Sequence, residues 1–192
     1  MLRHLALFAS VLCTGCNLVA SRAVERFHNK HYVLTKNDAS MLRGPYTRPE
    51  VLSPEAVLLS DHGLKTTVTL RGIVSARQDD LDFMCRKVLS AVSLGSAYLR
   101  TDSTYDTADG GKCGVIYTPA NQVFIGKDEH GVFQYETLTY VMPQLLMITQ
   151  GYCLVDHSDT AYPLYEVFLE AEELARKAHR GYWADPTHRR SR

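Results

Sequence analysis

Alternating hydrophobic and polar residues predict a β-hairpin in the first half of the chain. The stretch AVLLS is followed by DHG and then by KTTVTLRGI, in which Val68 and Leu70 alternate with threonines. A period of two is typical of a strand with one buried face. Asp61, His62 and Gly63 lie between the two apolar stretches and supply the turn.

Three helices and further strands are predicted after this hairpin. The segment DDLDFMCRKVLSAVSLG has helical periodicity, PQLLMITQ indicates a short helix, and YPLYEVFLEAEELARKAHRGYW has the clearest apolar stripe. Strands are predicted at SAYLR, CGVIYT, QVFIG and YCLVD, and VFQYETLTYV is expected to pair back as an extra hairpin. We expect Phe168 and Trp183 of the last helical segment to be buried against the core. The order of elements indicates an α+β fold that is mainly β.

The N-terminus has the features of a bacterial lipoprotein signal. Arg3 and His4 precede the apolar run LALFASVLC, which is too short to cross a bilayer as a helix and fits the core of a secretory signal. The run ends in CTGC, where Gly15 precedes Cys16 as in a lipobox. We therefore predict a signal peptide at 1–16 and fatty acylation, such as palmitate, on Cys16. Ordinary cleavage that gives a soluble secreted protein is the alternative.

The rest of the chain is predicted to be one domain with a tether and a tail. Residues 17–53 are assigned to the tether because RGPYTRPEVLSPE carries three prolines and a glycine. The domain is placed at 54–185 and a basic tail at 186–192. Lysine plus arginine and aspartate plus glutamate both number 21. This balance removes the usual electrostatic argument for nucleic-acid binding.

Three cysteines besides Cys16 remain after the signal peptide: Cys85, Cys113 and Cys153. In an oxidising compartment two of them could form a disulfide, but the sequence does not say which two. Buried free thiols are the alternative. The separations of 28 and 40 residues are not those of a metal site, and we expect neither a metal nor another cofactor.

From about residue 54 to residue 185 the chain resembles the staphylococcal nuclease-like (thermonuclease) family. VTLRGI resembles the family's VRLAGI, CGVIYT its YGRLLAYV, LLMITQGYCLV its LVRAGYARV, and AEELARKAHRGYW its AEEEARAARRGLW. The resemblance implies a five-stranded OB-type barrel with three helices, to which VFQYETLTYV adds its hairpin.

The resemblance also implies that the catalytic groups of the family are missing. That chemistry uses carboxylates for calcium, a glutamate that activates or orients water, and two arginines that neutralise phosphate charge. The matching positions here are Glu55, Thr69, Val74, Arg77 and Val115. Thr69 and Val115 stand where the arginines would be, and Arg77 reverses the charge of the glutamate. Only Glu55 keeps a carboxylate, so no catalytic residue is assigned.

The leading functional hypothesis is a catalytically inactive, nuclease-like envelope lipoprotein that binds or assembles other proteins, for example in a secretion or conjugation apparatus. We expect a membrane contact through Cys16, an envelope protein partner and no nucleic acid. Asn17 resembles the residue that favours the outer membrane in enteric lipoproteins, which suggests the periplasmic face of that membrane. One alternative is a secreted or membrane-anchored nuclease, a phosphodiesterase with a rearranged site for which Arg71 and Arg100 are the first candidate arginines. Another is a non-catalytic OB domain that binds nucleic acid.

Replacing Cys16 with serine should release the protein from the membrane fraction. The several acyl chains of a bacterial lipoprotein anchor it stably, whereas one chain gives only marginal binding. The measurement is fractionation of cells that carry wild type or Cys16→Ser, with Cys113→Ser as a control that removes a cysteine outside the motif. Equal membrane association of wild type and Cys16→Ser would contradict the anchor.

Overall fold

The computed structural model describes residues 34–35, 41–92, 96–101, 111–127, 129–130 and 133–188. Cys16, the signal peptide and the end of the basic tail lie outside these residues. The described strands are β1 (Leu34–Thr35), β2 (Arg43–Ser53), β3 (Ala56–Asp61), β4 (Leu64–Leu70), β5 (Ile73–Ser75), β6 (Ser96–Thr101), β7 (Lys112–Lys127), β8 (Phe133–Val141) and β9 (Cys153–Val155). The helices are α1 (Asp79–Val92), α2 (Pro143–Thr149) and α3 (Tyr165–Lys177), and a 3-10 turn spans Gly181–Ala184.

Five strands close into a barrel. β2, β3 and β4 follow one another as antiparallel neighbours, and β4 then pairs in parallel with β7. β7 also pairs with β6, which returns to β2 and completes the ring. This mixed, closed barrel with its three helices is of the OB type. The predicted fold class, α+β and mainly β, is therefore confirmed.

The predicted hairpins are both present. β3 and β4 are joined through His62 and Gly63, whose φ angles are 45° and 87°. Positive φ at both central residues suits the right-handed twist of the strands. Val68 and Leu70 of β4 are buried, while Thr69 between them is exposed. The extra hairpin is formed by β7 and β8, which pair from Thr118 to Lys127 beyond the barrel, and β1 adds to its outer edge.

One predicted boundary is wrong. Residues 43–53, which the proline-rich composition assigned to the tether, form β2 and pair with both β3 and β6. Proline lacks the N–H that a strand ladder needs, and it is tolerated at bulges. Pro45 lies within the irregularity between Arg43 and Tyr46, and Pro49 within the one after Thr47. The barrel therefore begins well before residue 54.

The last helix docks across the barrel by its apolar face, as predicted. Phe168 is fully buried and Trp183 is 7% exposed. Gly72 makes this docking possible because a Cβ at this position would collide with the rings of Phe168 and Tyr162. Its φ of +80° is also a conformation that favours glycine. Helix α1 contributes Cys85 and Leu89 to the same core.

Phe168→Ala should lower the free energy of unfolding by about 3 to 5 kcal/mol, because a buried aromatic ring leaves a cavity that neighbours fill only in part. Phe83→Ala is the matched control, since Phe83 lies on α1 with 63% of its surface exposed, and it should change stability little. Urea unfolding curves of the two variants and the wild type measure the difference. Equal losses in both variants would contradict the docking of α3.

Candidate functional site

The positions that the family resemblance singles out gather where β4 leaves the barrel. Glu55 lies in the turn between β2 and β3, and its backbone carbonyl accepts a hydrogen bond of 2.7 Å from Leu70 at the end of β4. Thr69 pairs with Ala56, the residue after Glu55. Val74 follows in β5 and Arg77 lies just beyond it. Sequence reasoning thus selected residues that are close together in space.

The Glu55 carboxylate is bound within the protein. It accepts a hydrogen bond from the backbone N–H of Ser75. The Ser75 hydroxyl donates to Asp82 Oδ1 at 2.6 Å and accepts from the backbone N–H of Arg77 at 2.8 Å. We call Glu55, Ser75, Arg77 and Asp82 the turn cluster. Its hydrogen bonds join the β2–β3 turn to the start of α1.

Ser75 and Asp82 are the members of the turn cluster that the sequence analysis did not name. Asp82 lies in the predicted helix DDLDFMCRKVLSAVSLG, where an acidic residue in the first turn is favourable. Because the chain reverses at Arg77, whose φ is +55°, Asp82 points back toward Ser75 on β5. Ser75 and Asp82 are separated by an irregular turn. Their spacing in the sequence therefore does not predict that they form a hydrogen bond.

The other positions that the family resemblance singles out, Thr69, Val74 and Val115, have no charged side chain of the kind that phosphoryl chemistry needs. Thr69 is exposed, and Val74 is half-buried and pairs with Leu154 of β9. Val115 is 2% exposed in the barrel and pairs with Arg100. A valine neither ligates a metal nor donates a hydrogen bond from its side chain. Within the described ranges, no three His, Cys, Asp or Glu side chains are grouped to hold a metal ion.

Arg71 is buried under the loop that precedes α3. Its side chain is 4% exposed, and its Nε donates to Asp159 Oδ2 at 2.6 Å. The guanidinium carbon lies 4.5 Å from the centre of the Tyr162 ring, a cation–π arrangement. Asp159 belongs to the polar stretch DHSD at residues 156–159, before the last helix. This ion pair ties the end of β4 to the segment before the last helix.

Arg100, the second candidate arginine, lies beside two buried tyrosines. Burial raises the pKa of Tyr117, and the hydrogen bond from Arg100 partly offsets that effect. Burial also raises the pKa of Tyr162 far above its usual value, with Tyr117 adding to the shift and Arg71 and Arg100 opposing it. The Tyr162 hydroxyl has no hydrogen-bond partner among the described residues. Arg71 and Arg100 therefore both interact with buried tyrosine side chains.

A second polar group links β9 to α3. The buried Glu172 accepts a hydrogen bond of 3.1 Å from the backbone N–H of Val155. Its other oxygen lies 3.5 Å from Arg176 and 3.8 Å from His157. The ring of His157 is within 2.9 Å of the Tyr165 hydroxyl. The spacing of four residues between Glu172 and Arg176 indicates this pairing in the sequence, but it does not indicate that Glu172 is buried.

Comparison with known proteins adds no further assignment. No family model matches the chain, and no curated protein sequence matches it significantly. None of the helices in the described part of the chain has the length and apolar surface needed to span a bilayer. The functional argument therefore depends on the geometry of the site.

Tyr162→Phe should make unfolding less sensitive to alkaline pH. The unfolded phenol ionises near its ordinary pKa of 10.0, whereas burial keeps the folded phenol protonated. Below this pH both states hold the proton. Above it the unfolded state binds one proton fewer, so stability falls as pH rises. The variant should lose about 1.4 kcal/mol less per pH unit above about pH 10.

Urea unfolding between about pH 8 and pH 11 measures this difference. At neutral pH the variant should be about as stable as the wild type, because the lost hydroxyl has no partner in the described residues. Parallel curves for the two proteins across the whole alkaline range would show that Tyr162 is not buried as a neutral phenol.

Proposed function

We propose that this chain is an envelope lipoprotein whose OB-type domain, similar to a staphylococcal nuclease domain, is catalytically inactive and serves binding or assembly. The observation that carries the proposal is that two charged groups near the end of β4, Glu55 and Arg71, are engaged within the protein. The Glu55 carboxylate is held by Ser75, and the Arg71 guanidinium by Asp159 and Tyr162. These contacts stabilise the turn and its neighbours, and they leave the charges poorly placed for an external substrate.

The free-energy cost of the missing arginines supports the absence of nuclease activity. Loss of one donor that stabilises the transition state costs roughly 3 kcal/mol, which is a hundredfold or more in rate. Val115 and Thr69 stand at both positions where the resemblance would place such arginines. Recruiting Arg71 instead would separate its buried guanidinium from the partly buried Asp159, at a cost of up to about 3 to 5 kcal/mol, the range for a fully buried pair. A rearranged nuclease site would have to overcome both costs.

The surface outside the barrel supports a binding role. The hairpin of β7 and β8 extends beyond the closed strands, and Ile125 on it is 58% exposed. An apolar side chain on an extended hairpin is suited to contact with another protein. A multiprotein envelope apparatus, such as one for secretion or conjugation, is the kind of assembly that would use a lipid-anchored domain of this type.

The protein purified from membranes should cleave neither single-stranded DNA nor RNA, with calcium or with a chelator. The reason is the absence of transition-state cations at the positions of Thr69 and Val115 and the occupied carboxylate of Glu55. Turnover is measured from neutral to alkaline pH for wild type and Glu55→Gln. Chelator-sensitive cleavage that disappears in Glu55→Gln would instead establish the rearranged nuclease.

Binding is tested separately by photo-crosslinking in intact cells. A photoreactive residue at Ile125 should capture a discrete envelope protein, whereas one at Leu64 should not. Leu64 is the matched control because it is also apolar and is 76% exposed, but lies at the β3–β4 hairpin. Crosslinks to nucleic acid in place of protein would favour the nucleic-acid-binding alternative, and equal crosslinking at both positions would contradict a specific docking role for the β7–β8 hairpin.

A further inference from the structure

Two of the three cysteines of the domain meet in the core. Cys85 on α1 and Cys153 on β9 are both fully buried and belong to the same core cluster. The two thiols are close enough to interact, and Cys85 is one cause of the raised pKa of the Cys153 thiol. Cys113 is half-buried at the start of β7, opposite Thr69. Cys85 and Cys153 thus lie together in the core, whereas Cys113 lies where β7 pairs with β4.

The backbone places this pair together independently of the thiol contact. Cys153 is the antiparallel partner of Ser75 in the β5–β9 sheet. The Ser75 hydroxyl donates to Asp82 on α1, and Cys85 follows Asp82 by three residues, so it lies on the same face of the helix. The turn cluster and the β5–β9 pairing thus hold α1 close to β9 in the region of Cys85 and Cys153. A disulfide needs such an approach, with Cα atoms within about 7 Å.

We propose that Cys85 and Cys153 form a disulfide when the chain folds under oxidising conditions, while Cys113 stays a thiol. The presence of an oxidant in the cell rests on the proposed envelope location. The oxidant is a disulfide of low molecular weight or of a thiol oxidoreductase. One cysteine thiolate attacks that disulfide and forms a mixed disulfide, and the second displaces the remaining thiol. Two protons and two electrons leave the cysteines, and the oxidant's disulfide becomes two thiols.

Formation must precede the docking of α1 on β9. Burial raises the pKa of the Cys153 thiol well above its ordinary value, and the hydrogen bond to Cys85 adds to the effect. The attacking species is the thiolate, so the folded, reduced protein should react slowly. The same burial protects the finished bond from reductants. The disulfide would close a loop of about 70 residues and restrict the unfolded chain, which stabilises the fold.

The test uses the full chain with Cys13→Ser and Cys16→Ser, so that only the three domain cysteines remain. The chain is unfolded, reduced and refolded in a mixture of reduced and oxidised glutathione, and its disulfides are mapped by mass spectrometry of peptides without reduction. We expect one linkage, between Cys85 and Cys153, with Cys113 open to alkylation. Folded, reduced protein given the same mixture should form this linkage far more slowly. Reduction should shift the urea midpoint of the linked form to lower concentration.

Three outcomes would overturn the pairing: a linkage that involves Cys113, no linkage after refolding, or equally fast oxidation of all three thiols in the folded chain. Cys113→Ser is the control and should leave both the linkage and the urea shift unchanged. Wild-type protein taken from cells with its thiols blocked at lysis gives a separate readout. If refolding yields the Cys85–Cys153 bond and the cellular protein is reduced, the pairing is supported and the envelope location of the proposed function is contradicted.

Discussion

The barrel closes at Gly114, and the placement of every element around the candidate site depends on that closure. β7 lies there between β4 and β6, and a Cβ on Gly114 would overlap the backbone carbonyl of Arg100. The carbonyl of Gly114 accepts hydrogen bonds from the Arg71 backbone at 2.8 Å and from the Gln144 side chain at 3.2 Å. The first bond fixes where β4 ends, and the second attaches α2. Such close approach of two strands and a helix requires a residue without a side chain.

After β4 the chain turns away from the barrel at Gly72. The elements β5, β9, α1 and α3 then form a second layer that packs on the barrel. β5 pairs with β9, α1 is tied to β5 by the turn cluster, and α3 is tied to β9 by the buried Glu172. Asp82 and Glu172 in this layer accept hydrogen bonds from neighbouring elements, which offsets the cost of removing these carboxylates from water. A site in which charges stabilise the fold is poorly suited to stabilise a reacting phosphate, because the same groups would have to leave their partners. This conflict is the physical basis for proposing a binding role.

Much of the fold followed from pattern and turn chemistry. The β3–β4 hairpin, the three helices and the extra β7–β8 hairpin were all predicted, because their periodicity and turn residues are local properties. The exception was β2. Its prolines indicated a tether, and only the bulges that accommodate Pro45 and Pro49 let this segment pair on both sides. The sequence shows that the prolines lack N–H donors. It does not show that these prolines lie at β-bulges, where the strand ladder tolerates a missing donor.

For the site, the sequence by itself determined which of the five positions singled out by the family resemblance lack a carboxylate or an arginine. It also showed that only Glu55 among them has an acidic side chain. Only the tertiary structure decided which partners those groups have. Arg71 meets Asp159 across 88 positions of chain, Glu55 meets Ser75 across 20 positions, and Cys85 of α1 interacts with Cys153 of β9. The sequence gives the chemical type of each side chain directly. Burial and side-chain pairing instead depend on how distant elements pack, and local sequence periodicity does not predict that packing.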